Sequence, residues 1–101
     1  MRPIIAIDPG ASGGIATRDT WGQIELMPMP ATDGDVVDAI RSFTASNPGA
    51  SAVLEKVGGF IKGNPTPGST MFRFGRGVGV IEGALLTLAV PYLVVMPRRW
   101  Q

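Results

Sequence analysis

Short apolar runs, each followed by a polar or glycine-containing break, fill the first third of the chain. The run Ile4–Asp8 is apolar up to its final aspartate, and Gly14–Arg18 and residues 23–29 follow the first two breaks. Runs of this length between turn-forming residues predict β-strands, and the break RDTWGQ has the Asp and Gly that a short hairpin loop prefers. We therefore predict an antiparallel meander of three strands.

The remainder of the chain alternates between helical and strand patterns. Thr32 or Asp33 can cap a helix that ends at SNPG (residues 46–49), because apolar residues recur between them at helical spacing. Residues 51–57 (SAVLEKV) and 91–97 (PYLVVMP) are predicted strands, with a long helix over residues 70–89 between them. This order predicts a single α/β domain over residues 1–101. Its mixed five-stranded sheet combines the meander with two parallel strands and carries flanking helices.

The predicted long helix contains many glycines. Gly75, Gly79 and Gly83 lie four residues apart and so form one stripe, although each glycine disfavours the helix by ~1 kcal/mol relative to alanine. Some contact is expected to offset this cost. The sequence leaves three alternatives for that contact, namely the sheet, another helix or a second subunit.

Composition restricts the chemistry that the chain can perform. The 101 residues carry a net charge of +1 and are 45% hydrophobic, which is typical of one globular domain. There is no cysteine or histidine, so disulfides, the usual zinc sites and imidazole catalysis are excluded. Residues 78–96 approach the length of a membrane span, but Glu82 and Pro91 interrupt them and favour a helix followed by a strand. With no signal-peptide pattern at the N-terminus, the expected location is the reducing cytoplasm.

Carboxylates follow two of the predicted strands. Asp8 ends the first strand and Glu55 lies near the end of the fourth, so parallel pairing of these strands would bring both to one edge of the sheet. Paired carboxylates repel unless a cation or a proton lies between them, and oxygen ligands favour Mg²⁺ or Mn²⁺. Such a site can hydrolyse phosphate esters. Glu82 is a further candidate ligand. Asp8 could instead simply form a turn before Pro-Gly, and Glu55 could be an ordinary exposed glutamate.

The positive charges are concentrated in the second half of the chain. Residues 1–50 contain three arginines against six carboxylates, whereas residues 51–101 contain six cations against two carboxylates. These late cations could form a rim that contacts phosphates, or they could be ordinary surface charges. Phe60, on a Gly/Pro-rich loop, is a candidate to insert between bases. The candidate phosphate contacts are Lys62, Arg73, Arg76, Arg98 and Arg99.

Four segments together resemble a known family. The segments IIAIDPGASGGIA, AVLEKVGGF, TMFRFGRGVGVIEGALL and VPYLVVMPRRWQ resemble, in order and spacing, the RuvC-type Holliday-junction resolvases of the RNase H-like superfamily, particularly their phage and bacterial branch. The resemblance implies an RNase H-like fold and a Mg²⁺- or Mn²⁺-dependent endonuclease, located in a bacterial or phage-infected cell. It also implies a homodimer that acts on branched DNA such as a four-way junction. Asp8 matches the metal-binding aspartate of the first strand, and Glu55 matches the glutamate of the fourth.

The sequence departs from this family after the fifth predicted strand. Family members carry two more acidic residues on a C-terminal helix, and the sequence reaches Gln101 before such a helix could form. We expect the chain to be an N-terminal portion of a longer protein; the alternatives are a short form without catalysis, or replacement of a missing ligand by Glu82. Two other functions stay open, namely a noncatalytic DNA-binding or dimerisation fragment and an actin-like ATP- or phosphate-binding module.

Overall fold

In a computed structural model, residues 1–10, 12–55 and 68–96 are described, and all structural statements concern these ranges. Two helices and five strands occur there in the predicted order. They are β1 (Ile4–Asp8), β2 (Gly14–Arg18), β3 (Ile24–Pro28), α1 (Asp33–Ser46), β4 (Ser51–Glu55), α2 (Gly68–Thr87) and β5 (Tyr92–Val95).

The strands form one sheet with the order β3-β2-β1-β4-β5. β1 pairs antiparallel with β2, and β2 with β3, whereas β1 with β4 and β4 with β5 are parallel pairs. The predicted mixed sheet is therefore confirmed. The central position of β1, between β2 and β4, fixes where its last residue, Asp8, lies.

Both helices cover the same face of the sheet. Alternate side chains of the strands point to this face and form the core together with the helices. Ile5 and Ile7 of β1 and Leu54 of β4 are at most 2% exposed and belong to one cluster with Ile40 of α1 and Leu85 of α2. Full burial of one such side chain contributes roughly 1.5–3 kcal/mol to folding. This cluster holds the two parallel strands rigidly against the helices.

The opposite face of the sheet, here called the open face, is not covered by the described residues. Its exposed apolar side chains include Leu26, at 79%, and Leu93, at 68%. Since side chains alternate along a strand, the register of the four pairs defines which residues share this face. They are Ile4, Ala6, Asp8, Gly14, Ala16, Arg18, Ile24, Leu26, Pro28, Ser51, Val53, Glu55, Leu93 and Val95.

The helix boundaries have local causes. Thr32 caps α1 as predicted, because its hydroxyl accepts a hydrogen bond from the Asp35 amide at 3.1 Å. α2 occupies Gly68–Thr87 rather than residues 70–89, and it ends where Ala89 adopts a positive φ of 57°. There the Ala89 amide donates to the Leu86 carbonyl and the Val90 amide to the Leu85 carbonyl, which is the Schellman termination. Neither described helix is long and apolar enough to cross a membrane.

The glycine stripe of α2 faces away from the core. A Cβ atom built on Gly75, Gly79 or Gly83 would meet no described atom within 4 Å outside its own helix. The expected close approach to the sheet or to another helix is therefore wrong for the described chain. Within the described residues, neither the sheet nor α1 offsets the helix cost of these glycines.

Candidate metal-binding site

Asp8 and Glu55 occupy equivalent ends of neighbouring parallel strands. Their predecessors, Ile7 and Leu54, are register partners in the β1–β4 pair. Neighbouring strands lie about 4.8 Å apart, and side chains one residue beyond a buried pair project to the opposite face. Asp8, which is exposed, and Glu55, which is half-buried, thus lie side by side on the open face. The sheet brings together the two residues that the sequence predicted to converge.

A shallow concavity of about 370 Å³ adjoins the two carboxylates, and both line it. Its other walls are almost entirely apolar, including Ala6, Ala16 and Val53 of the three central strands. Polar groups at the end of a mostly apolar concavity are typical of a ligand-binding site. Walls of low polarity on one side would strengthen the attraction between the two carboxylates and a cation placed between them.

The loop after Asp8 folds back tightly on its own strand, which explains the sequence DPGASGG. The Gly13 amide donates to the Gly10 carbonyl at 3.0 Å, and the Met29 amide donates to the Gly13 carbonyl at 3.2 Å. A Cβ on Gly13 would lie only 1.9 Å from the Asp8 carbonyl oxygen, so this position accepts no side chain without a backbone shift. The close approach fixes the backbone that carries the Asp8 carboxylate.

Glu82 does not join the carboxylate pair. It lies on α2, over the covered face of the sheet, and its Oε2 accepts a hydrogen bond from the Tyr92 hydroxyl at 2.9 Å. It does not line the concavity beside Asp8 and Glu55. Within residues 1–10, 12–55 and 68–96, no three Asp, Glu, His or Cys side chains are grouped so that they could hold a metal ion. In the described chain the candidate site therefore consists of Asp8 and Glu55, without Glu82.

Because of the Tyr92–Glu82 contact, we expect the free energy of unfolding to change with pH in the alkaline range. The hydrogen bond to Glu82 raises the pKa of the Tyr92 hydroxyl, and partial burial and the charge of Glu82 act in the same direction. The contribution is fully present below the ordinary tyrosine pKa of about 10 and is lost as pH rises through the raised value. We expect Tyr92→Phe to lower the urea midpoint at pH 8 and to flatten the loss of stability above pH 10. An unchanged alkaline slope would contradict this assignment.

Two of the predicted phosphate contacts lie within the described residues, on the first half of α2. Arg73 is exposed and lines a groove together with Pro9 and Gly10, the two residues that follow Asp8. Arg76 forms a salt bridge with Asp33 of α1, at 3.0 Å between Nη1 and Oδ2. Arg73 is therefore the better placed of the two to contact a phosphate near Asp8. The other candidates, Phe60, Lys62, Arg98 and Arg99, lie outside the described residues.

One prominent side chain was not predicted from the sequence. Trp21 is 91% exposed at the β2–β3 turn, at the opposite end of the sheet from Asp8. The motif RDTWGQ correctly indicates a hairpin turn. Turn-forming residues alone, however, do not reveal whether the tryptophan between them packs inward or points into solvent.

Comparisons with known proteins bear on the fold. No protein-family model and no curated protein matches the sequence. The solved structure of T. thermophilus RuvC in complex with Holliday junction substrate is 14% identical, with a TM-score of 0.69, and the match covers 96% of this chain and 66% of that chain. A Thermus thermophilus RuvC structure is 15% identical, with a TM-score of 0.56 and coverages of 94% and 64%.

The chain therefore spans just under two thirds of the length of these RuvC chains. The likeness covers nearly all of this chain, including its mixed sheet, in which β1 lies between the antiparallel β2–β3 pair and the parallel β4–β5 pair. At such low sequence identity, the similarity shows that the folds are alike and shows nothing about function. The described chain has the RNase H-like fold of RuvC, with five strands in one mixed sheet and two helices on one of its faces.

Proposed function

We propose that this chain is the N-terminal portion of a metal-dependent DNA endonuclease of the Holliday-junction resolvase type, from the phage and bacterial branch. The observation that carries the proposal is the adjacency of Asp8 and Glu55 at the carboxyl ends of parallel strands in a RuvC-like fold. One of the similar RuvC structures holds a Holliday junction substrate, which supports branched DNA as the partner. The expected setting is the cytoplasm of a bacterial or phage-infected cell.

The donor set fits a hard divalent cation. Asp8 and Glu55 offer carboxylate oxygens on the accessible face of the sheet, and Mg²⁺ is commonly bound by one or two carboxylates together with water and substrate phosphate. With Mg²⁺ or Mn²⁺ bound, the positive charge would stabilise a phosphodiester during in-line displacement and would favour ionisation of the attacking water. The role of Asp8 and Glu55 is to hold that charge at a fixed place on the sheet.

Other residues of the chain position the substrate. The apolar walls at Ala6, Ala16 and Val53 border the carboxylates on one side. Arg73, beside the loop that follows Asp8, can contact a backbone phosphate and so orient the DNA without reading its sequence. The proposal also assigns phosphate contacts to Lys62, Arg98 and Arg99 and insertion between bases to Phe60, all outside the described residues.

The proposal includes two further carboxylates from a helix that follows Gln101. The described residues supply two neighbouring carboxylates on the open face, and the RuvC chains compared above are longer by about a third of their length. Two more acidic residues facing one way on a helix would complete the ligand set. Sequencing the gene beyond codon 101 tests this part directly.

A homodimer is also part of the proposal, with the glycine stripe of α2 as its contact. The stripe is bounded by two large exposed side chains, Phe72 at 72% and Leu86 at 68%. Both lie seven residues from Gly79, and Gly75 and Gly83 both lie four residues from it. An antiparallel pair of helices crossing at Gly79 would therefore bring glycines together at the centre and large apolar side chains together at both ends.

Gly79→Leu is expected to weaken this dimer by about tenfold or more, because overpacking at a close contact costs typically 1–3 kcal/mol. Sedimentation velocity over a concentration series measures the effect. Gly34→Leu is the matched control, since a Cβ on Gly34 of α1 likewise meets no described atom within 4 Å. If the protein stays monomeric at every concentration, the proposed dimer is wrong. If a dimer forms and both variants leave it intact, α2 is not its interface.

A noncatalytic junction-binding fragment is the second candidate. It is favoured by the absence of a group of three or more potential metal ligands in the described part of the chain. Incubating the longest available form of the protein with a synthetic four-way junction, with Mg²⁺ or with EDTA, separates the two functions. Mg²⁺-dependent scission of the junction but not of linear duplex supports the endonuclease, whereas binding without scission supports the fragment. Absence of junction binding contradicts both.

A further inference from the structure

The β2–β3 turn that carries Trp21 is held rigidly by its own hydrogen bonds. Oδ1 of Asp19 accepts from the backbone amides of Trp21 at 2.8 Å and of Gln23 at 2.9 Å. The Gly22 amide donates to the Asp19 carbonyl at 3.0 Å, and Gly22 has a positive φ of 86°. The Trp21 backbone therefore has one defined conformation, and the turn uses the negative charge of Asp19 internally.

A buried asparagine attaches this turn to the helix layer. Asn47, 7% exposed at the end of α1, accepts hydrogen bonds through Oδ1 from the Thr20 amide and the Thr20 hydroxyl, both at 3.3 Å. Its amide nitrogen donates to the Phe43 carbonyl at 3.0 Å. A buried polar side chain costs free energy unless it is satisfied in this way. These contacts fix the direction in which the turn presents Trp21.

The surroundings of Trp21 combine apolar surface with positive charge. Met1, 71% exposed, has its sulfur 3.4 Å from the point that a Cβ on Gly22 would occupy. On the neighbouring strand ends, Nη2 of Arg18 donates to the Arg2 carbonyl at 3.1 Å, which places both arginines at this end of the sheet. An exposed indole at the end of the sheet that carries Arg2 and Arg18 suits an anionic partner that also has flat aromatic faces.

We propose that Trp21 is a stacking platform for an unpaired base of the DNA substrate, and that Arg2 contacts the adjoining phosphate. This inference rests on the proposed nuclease function and adds a second contact to it. Aromatic side chains stack on any base, because every base has a π-face, and nearby cations bind the backbone. The positive charge around an indole on a rigid turn favours DNA over a protein partner.

Trp21 and the carboxylate pair lie at opposite ends of the sheet, so the length of β1 sets the distance between them. β1 runs from Ile4, next to Arg18, to Asp8 at the other end. Four steps along a strand span about 13 Å, which equals about four base pairs at 3.4 Å each. The platform would therefore hold a base about 13 Å or more from the carboxylate pair, the length of about four stacked nucleotides. Because Trp21 would stack on an unpaired base, it would favour junctions with unpaired nucleotides near the branch over fully paired duplex.

Intrinsic fluorescence tests this contact directly. The chain has two tryptophans, so Trp100→Phe leaves Trp21 as the single emitter. A synthetic four-way junction with unpaired nucleotides near the branch, titrated without divalent metal, should quench the Trp21 emission. In the same background, Trp21→Ala should raise the junction Kd about tenfold, the size expected for one lost stacking contact, whereas Trp21→Phe should retain most of the affinity. Leu93→Ala, an exposed apolar position on the opposite edge strand, should match the parent.

The outcomes separate this inference from the proposed function. Junction binding with unchanged Trp21 emission and an unaffected Trp21→Ala variant would overturn the stacking role and leave the nuclease proposal standing. A parent protein that does not bind the junction would overturn both. Self-association that depends on Trp21, seen by sedimentation velocity, would assign the turn to a protein interface instead and would overturn the inference. Circular dichroism of each variant establishes that it is folded.

Discussion

Asp8→Asn is expected to lower Mg²⁺-dependent junction cleavage at least about a hundredfold in the longest available form of the protein. Substitutions that merely support a metal ligand typically cost about 10–100-fold, so loss of a direct ligand should reach or exceed that range. Asparagine keeps the shape of the side chain and removes its charge. Junction binding should persist, because the phosphate contacts lie elsewhere, and single-turnover cleavage alongside a binding titration measures both.

The control for this substitution is Asp38→Asn. Asp38 is an exposed carboxylate on α1, paired with Arg41, so the variant has the same change in net charge at a position away from the open face. Calorimetry with Mn²⁺ provides a second measurement that does not depend on turnover, and Asp8→Asn should abolish the heat that the parent and Asp38→Asn give. Equal cleavage by Asp8→Asn and Asp38→Asn would exclude Asp8 from the mechanism.

The convergence of Asp8 and Glu55 was predictable because it follows from local pattern and one topological rule. Each residue lies at the end of an apolar run, and each run reads as a strand. A meander followed by a right-handed crossover makes the first and fourth strands parallel neighbours, which the structure confirms. The side-chain alternation of strands then places both carboxylates on one face. No long-range side-chain contact is needed for this prediction.

The position of Glu82 could not be predicted in this way. Helical periodicity places it next to the glycine stripe, but it does not say which face of the sheet the helix covers. The structure puts α2 on the face opposite the Asp8 side chain, where Glu82 accepts the Tyr92 hydrogen bond. Assigning the face requires the crossover to be seen in three dimensions.

Trp21 shows a second limit of sequence reasoning. It is exposed on a turn that Asn47, twenty-six residues away in sequence, contacts through Thr20. The local sequence indicates only that a turn is present. Side-chain direction at such a turn is set by tertiary contacts, which do not follow from the local pattern.

Gly13→Ala is expected to impair both folding and cleavage, although position 13 bears no functional group. The added Cβ would fall 1.9 Å from the Asp8 carbonyl oxygen, and only a backbone shift can relieve that contact. Overpacking of this kind costs typically about 1–3 kcal/mol of unfolding free energy. A displacement of about 1 Å at a reacting group can cost about a hundredfold in rate. We therefore expect a lower urea midpoint and a large loss of cleavage in the fraction that remains folded.

Gly34→Ala separates the steric effect from the general effect of replacing a glycine. A Cβ at Gly34 meets no described atom within 4 Å, and alanine favours a helix over glycine by up to about 1 kcal/mol. That variant should be as stable as the parent or slightly more stable, with unchanged cleavage. If Gly13→Ala matched the parent in both measurements, the loop would not hold Asp8 in place. The sequence DPGASGG would then describe a turn without a role in positioning the carboxylate, even if Asp8 itself proved essential.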